Sequence, residues 1–305
     1  MRFRIAHSTR YTYGGPVALA PHVLRLRPRC DGRQRLIRFE LRIDPKPVGR
    51  AETLDLDGNV TTEVWFLGQT DLLEIAAETE VETFARNPFD YIVTHVPALS
   101  LPVGYPAELE PLLAGYRRPA RADGAVARLA ERLARRSGGN ALTFLSLLAE
   151  EIRETISYAA REVGEARPAE ATLERGAGSC RDLAVLFIEA ARCAGAAARF
   201  VSGYQFDGPE EARQMHAWAE VYLPGGGWRG YDPTSGLAVD ETHVPLAAGA
   251  APAMAAPVSG WFSGGEVSTR LQVDLRLESL PAVRQELWAR PLETVQAPVP
   301  AGAGH

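Results

Sequence analysis

The first hundred residues alternate. "RFRIAHSTRYTY" (2–13), "HVLRLRPR" (22–29), "RLIRFELRID" (35–44), "NVTTEVWFLG" (59–68) and "LLEIAAETEVETF" (72–84) interleave apolar and polar positions. They are rich in β-branched and aromatic side chains, which is the pattern of half-buried strands. "DPKPVGR" and "LDLDGN" are turn signals between them. Short strands at this spacing predict an antiparallel β-sandwich-like domain over residues 1–100. The proline-rich "NPFDYIVTHVPALSLPVGYPAELEP" (87–111) then reads as a linker or extended arm.

Beyond it the period changes. "ADGAVARLAERLARR" and "NALTFLSLLAEEIRETISYA" repeat apolar residues at i, i+3, i+4 and i+7, as amphipathic helices do, and Asn140 is placed to cap the second. A third helix is predicted from about Cys180, where Ser179 followed by Asp182 forms a capping-box pattern ahead of an apolar run. Leu183, Phe187, Ala190 and Ala194 form its inward stripe. "AARFVSGYQF", "QMHAWAEVYLP" and "GWRGYDPTSG" return to strands, "TRLQVDLRLESL" adds one more, and "APVPAGAGH" reads as a frayed end. The fold class is therefore α+β, with residues 101–305 as a second unit carrying that carboxy-terminal strand.

Composition narrows the function. Hydrophobic residues at 46% and charged residues at 23% describe an ordinary globular protein. A formal net charge of −5 argues against a nucleic-acid surface, and the arginines between Arg25 and Arg38 alternate as a solvated sheet face would. No run has transmembrane length and the amino terminus lacks the apolar core of a signal peptide, so no membrane association is expected. Cys30, Cys180 and Cys193 are too few for a disulfide scaffold, which fits a reducing cytoplasm. Neither CxxC nor HExxH occurs, and no metal or other cofactor is expected.

Cys180 follows a glycine-rich turn and opens a helix. A cysteine there could be packing, a metal ligand or a nucleophile. Unpaired backbone N–H groups and the helix dipole favour a thiolate at that end, and the Cys180 N–H could face a developing oxyanion. Gly176 and Gly178 would keep side chains out of the approach. Cys193 lies thirteen residues further on, at the cation-favouring end of the helix, and reads as packing. Of six histidines, His7, His22, His95, His243 and His305 lack a supporting context. His216 begins a strand whose hairpin partner ends in Asp232. If the turn centres one residue beyond Pro224, the two become diagonal neighbours within side-chain reach. Asp232 could then orient the imidazole, although an aspartate before proline is also an ordinary turn residue. Together Cys180, His216 and Asp232 make one nucleophile–base–orienter constellation. A metal role for Cys180 and His216 would need further ligands at a recognisable spacing.

"GAGSCRDLAVLFIEAARCAGAAARFVSGY", "MHAWAEVYLPGGGWRGYDPTSG" and the upstream "ISYAA" resemble the core of the transglutaminase-like superfamily. "IAHSTRYTYGGPVALAPHVLRLRPR" and "LDGN" resemble the β-rich domain preceding that core in bacterial members. The resemblance implies a papain-like core with Cys180 as nucleophile, His216 as base and Asp232 as its orienter. One departure stands out: the Gly-Arg-Asp-Tyr-like segment common in bacterial relatives is here "AAGAAPAMAAPVSGWFSGG", poorer in polar groups. Asp182 is read as the helix cap, Arg181 as an ion pair or cleft-rim residue, and Tyr158 and Trp218 as acyl-pocket candidates. The chemistry expected is acyl transfer through a thioester from a protein, peptide or amide substrate. Water resolving it gives a protease or amidase, the favoured outcome because no amine site is visible; an amine would give a cross-linking transferase. A non-catalytic binding protein on the same fold is the alternative from another class. No EF-hand loop is present, so calcium is not expected.

Overall fold

A computed structural model describes residues 1–161, 163–206 and 215–281, so the carboxy-terminal stretch read as frayed lies outside the described residues. The amino-terminal strands are β1 (Arg2–Leu19), β2 (His22–Leu24), β3 (Gln34–Asp44), β4 (Gly49–Leu54), β5 (Val60–Trp65) and β6 (Thr70–Thr83). Helices α1 (Glu110–Arg117), α2 (Ala125–Arg136) and α3 (Ala141–Thr155) follow, then β7 (Ser157–Tyr158), α4 (Ala169–Arg175), β8 (Ala177–Gly178) and α5 (Cys180–Cys193). The chain continues through β9 (Ala198–Gln205), β10 (Met215–Leu223), β11 (Gly227–Asp232), β12 (Leu237–Ala238), β13 (His243–Gly249), β14 (Val258–Ser259), β15 (Phe262–Ser263) and β16 (Thr269–Leu280).

The alternation in the first hundred residues becomes two facing antiparallel sheets. One runs β15-β1-β6-β3 with β16 also on β1; the other runs β14-β2-β5-β4. Phe3, Ile5, Leu24, Val64, Leu73, Ile75 and Val81 fill the space between them. Strand β16 corrects the sequence reading of residue 269 onward. It pairs with β1 from Arg2↔Leu280 to Tyr13↔Thr269, and thus completes the amino-terminal sheet rather than the second unit. Its outward pattern is polar and its inward Leu277 joins the first core, which the alternation alone could not assign to a particular sheet.

The second core surrounds α5. Phe187, Leu183, Leu186 and Ala190 of α5 meet Leu133 of α2, Phe144, Leu145 and Leu148 of α3, and Ala219 and Val221 of β10. The Asn140 cap forms as expected, its side chain accepting the Thr143 N–H at 2.9 Å. The sheet beside α5 has the order β12-β11-β10-β9-β13, so β10, which carries His216, is its central strand. Strands β4 and β13 and helices α1 and α4 were not read from the sequence; each is short or flanked by glycine and proline.

The two units are tied together by the "LDGN" turn. Asn59 is fully buried; its side-chain amide donates to the Ala248 carbonyl at 2.7 Å, and its carbonyl accepts the Ala248 N–H at 2.8 Å. This side chain acts as one more strand residue against β13. Beside it Arg199 is buried between Glu220, at 2.7 Å, and Asp57, at 3.7 Å. Tyr204, Val244 and Leu246 of the second sheet pack into the amino-terminal core, so the interface is itself hydrophobic core.

Candidate active site

The site begins at the entry to α5. Gly176 caps α4 in the left-handed region, at φ 63°. A Cβ on Gly178 would stand 2.8 Å from Asp182 Cβ and 3.1 Å from Thr172 Cγ2. Both glycines therefore serve the fold of the turn, and a Cβ on Gly176 would meet open space. Asp182 does more than cap the helix. Its Oδ2 accepts from the Ser179 N–H (3.0 Å) and hydroxyl (3.1 Å), and its Oδ1 accepts from Arg161 Nη2 (2.5 Å) and the Arg167 N–H (2.8 Å). Burial pushes this carboxyl up, but those backbone and hydroxyl donors and Arg161 hold it below the usual carboxylate range. Cys180 is thus delivered at a rigid helix start, half-buried.

Parallel pairing of β7 with β8, Tyr158 opposite Gly178, brings Tyr158 alongside that helix start. The residue is 54% exposed. Burial of the hydroxyl raises the phenol above its ordinary value, as do the charges of Cys180 and Asp232, whereas Arg181 opposes them. Arg181 donates to the carbonyls of Gly164, at 2.9 Å, and Arg161. Its role is to pin backbone beside the helix entry.

His216 and Asp232 come from β10 and β11. The strands pair as Ala219↔Tyr231 through Leu223↔Gly227, so the hairpin centres on residue 225 and His216 and Asp232 are diagonal neighbours. His216 Nε2 lies 3.0 Å from Asp232 Oδ2. Asp232 Oδ1 accepts the Thr234 N–H at 2.9 Å, and Gln205 Nε2 approaches Oδ2 at 3.4 Å. The Asp232 carbonyl also accepts the Gly236 N–H at 2.8 Å, so this aspartate is a turn residue and a site residue at once.

With Nε2 turned to Asp232, the ring's Nδ1 is the nitrogen left for the thiol. Burial draws His216 down, but Asp232, by charge and hydrogen bond, and then the hydrogen bond and charge of Cys180 outweigh it and raise it to about 10. Asp232 is pushed up by burial and held far below the usual carboxylate range by His216, with His243 adding to it. An imidazolium flanked by a carboxylate and a thiol is the arrangement that keeps a cysteine ready to react. Cys193 shows the opposite environment. Burial, then Glu189, Glu170 and Glu131, raise its thiol to about 11, and it lies 3.5 Å from the Arg121 carbonyl.

Trp218 corrects another expectation. It has no exposed surface, and its ring stacks beside His216 at 6.2 Å between centroids and meets His243 edge-on at 5.3 Å. It buttresses the imidazoles and cannot line an open pocket. A Cβ on Gly203, across from it on β9, would come within 2.6 Å of Trp218 Cη2, so that position admits only glycine. His243 is the residue that sequence reasoning passed over. It begins β13, and its Nε2 lies 3.5 Å from Asp232 Oδ2. Strand pairing of β13 with β9, which no local pattern announces, carries it there.

Residues 127–233 match the transglutaminase-like superfamily, and residues 3–82 match the bacterial transglutaminase-like N-terminal region. The two stretches make up more than half of the chain, and the protein belongs to the transglutaminase-like superfamily. It is similar to an uncharacterised protein of Mycobacterium tuberculosis, 28% identical over 85% of this chain and 87% of that one. An uncharacterised protein of Mycobacterium leprae is 26% identical over 86% of this chain and 94% of the other. Among solved structures, a candidate cysteine protease from Cytophaga hutchinsonii shares the fold with a TM-score of 0.67 at 21% identity, covering 93% of this chain and 92% of that one.

Proposed function

We propose that the protein is a thiol hydrolase of amides, with Cys180 as nucleophile, His216 as acid and base, and Asp232 as the residue orienting His216. The observation that carries this reading is His216 itself: held by Asp232 at 3.0 Å on Nε2, and raised to about 10 by Asp232 first and Cys180 after it. For attack, His216 takes the Cys180 proton, which places the charge on Sγ. The thiolate attacks the carbonyl carbon of a carboxamide or peptide, forming the C–S bond while the carbonyl electrons move to oxygen. The N–H of Cys180, one of the unpaired donors of the α5 start, faces that oxygen. Collapse breaks the C–N bond, and His216 gives its proton to the departing amine, leaving a thioester. Water attacks the thioester as His216 takes its proton; the acid leaves and the thiolate–imidazolium pair is restored.

Tyr158 and Arg181 stand at the mouth of the site in this scheme, Tyr158 presenting its exposed ring to substrate and Arg181 holding the adjoining backbone. Water is the acceptor because it needs no site of its own, and the substrate is a protein, peptide or small amide. The free cysteines suit a reducing compartment such as the cytoplasm. The test is peptide mapping of iodoacetamide labelling from pH 5 to 9, for wild type and His216→Ala, followed by amide turnover with and without a fluorescent primary amine. Rapid labelling of Cys180 below pH 7 that depends on His216, and product acid without amine incorporation, is the expected result. Labelling indifferent to His216 overturns the triad, and stable amine incorporation replaces the hydrolase with a transferase.

A further inference from the structure

The environment of His243 points beyond the triad. Thr242 Oγ1 donates its one proton to Asp240 Oδ1 at 2.6 Å, which leaves the hydroxyl oxygen to accept from His243 Nδ1, 3.2 Å away. Asp240 Oδ1 itself lies 3.4 Å from the same nitrogen. The proton of a neutral His243 therefore belongs on Nδ1, and Nε2 carries a lone pair. That Nε2 is buried, with the side chain 5% exposed, and has no hydrogen-bond partner among the described residues. It lies 3.5 Å from Asp232 Oδ2, so a cation, either a proton or a metal ion, belongs between the two atoms.

His216 Nε2, 3.0 Å from the same carboxylate oxygen, completes a cluster in which all three atoms lie within 4.8 Å of one another. Ligands about 2.0–2.1 Å from a tetrahedral zinc ion are roughly 3.3 Å apart, a separation that the two measured distances bracket. The surroundings also suit metal ligands. A ligating histidine usually donates its second N–H to a carboxylate or another acceptor, as His243 does toward Thr242 and Asp240. Asp232 Oδ1 is separately held by the Thr234 N–H at 2.9 Å, which fixes the orientation of Oδ2.

We infer that His216, Asp232 and His243 form a binding site for a zinc-like divalent cation that switches the cysteine off. Two imidazoles and one carboxylate are a borderline-soft donor set, suited to Zn²⁺ rather than Ca²⁺ or Mg²⁺. Binding displaces the proton between His216 and Asp232, so one proton leaves for each ion bound. The metallated ring keeps its remaining proton on Nδ1 and has no lone pair with which to accept another. The cation binds whether or not the protein is an enzyme; only the silencing of Cys180 rests on the function proposed above. Cys180 is not a ligand, because its thiol lies outside the cluster that these three groups form.

The test is a Co²⁺ titration of chelator-treated protein followed by visible absorption, with Zn²⁺ competition, on wild type, Cys180→Ala, His243→Ala and Asp240→Asn. Wild type and Cys180→Ala should give the same d–d spectrum without a thiolate charge-transfer band. His243→Ala should weaken binding at least tenfold, and Asp240→Asn about 10–100-fold. Thermal melts without metal establish that each variant is folded, with His243→Gln standing in if His243→Ala is not. A thiolate band that vanishes in Cys180→Ala places the ion on the cysteine and overturns the site. So does undiminished binding by a folded His243 variant. Absence of binding by wild type also overturns it and leaves a proton between His243 and Asp232. Because Cys180→Ala cannot turn over amide, its binding is read independently of the catalytic proposal, which the labelling of metal-free protein tests by itself.

Discussion

His216 and Asp232 sit two residues out of direct register across the β10–β11 hairpin, and this diagonal offset sets imidazole and carboxylate 3.0 Å apart. The hairpin turn at residue 225 therefore sets the geometry of the site.

Asp232→Asn keeps the shape and removes the charge that holds His216 protonated. Amide turnover should fall about 10³–10⁴-fold, as it does when the orienting aspartate of a triad becomes an asparagine. The acid limb of Cys180 alkylation should move to higher pH. Stopped-time labelling with peptide mapping reads the second effect without any knowledge of the substrate.

The His216–Asp232 pair also links stability to pH. His216 is raised from 6.5 to about 10 in the folded state, so its contribution is complete below pH 6.5, declines as pH rises and is gone above about 10. Asp232 is lowered from 3.8, so its contribution is present above that value and lost as pH falls further. Wild type should exceed His216→Gln by on the order of a few kcal/mol at pH 5 to 6. The gap should narrow steadily toward pH 10; urea unfolding across that range checks it.

Labelling should separate the cysteines of α5. Cys193, with its thiol raised to about 11, should remain unmodified at pH 7 while Cys180 reacts. Cys193→Ala should leave amide turnover within about twofold. Quantitative peptide mapping after a short exposure at pH 7 decides it.

Asn59→Ala removes two buried bonds and strands the N–H and carbonyl of Ala248. Each orphaned group costs about 1–3 kcal/mol, so the domain should lose roughly 2–6 kcal/mol in urea unfolding. Because Ala248 lies on the strand that begins at His243, hydrogen exchange along β13 should quicken as well.

Much of this protein is written in local patterns. Alternation marked the amino-terminal strands, the helical period marked α2, α3 and α5, and Ser179 with Asp182 marked the helix start that delivers Cys180, because each pattern reports forces acting within a few residues. The spacing of His216 and Asp232 was legible for the same reason: a hairpin is local. What the tertiary structure decided depends on which distant elements meet. Strand β16 could pair with either unit until the amino-terminal sheet offered β1 its second edge. Trp218 could face a pocket or a core until Gly203 and His243 closed over it. His243 looked like any histidine beside a proline. It reached Asp232 only because β13 pairs with β9, and Asn59, 189 residues away from Ala248, locks that strand in place.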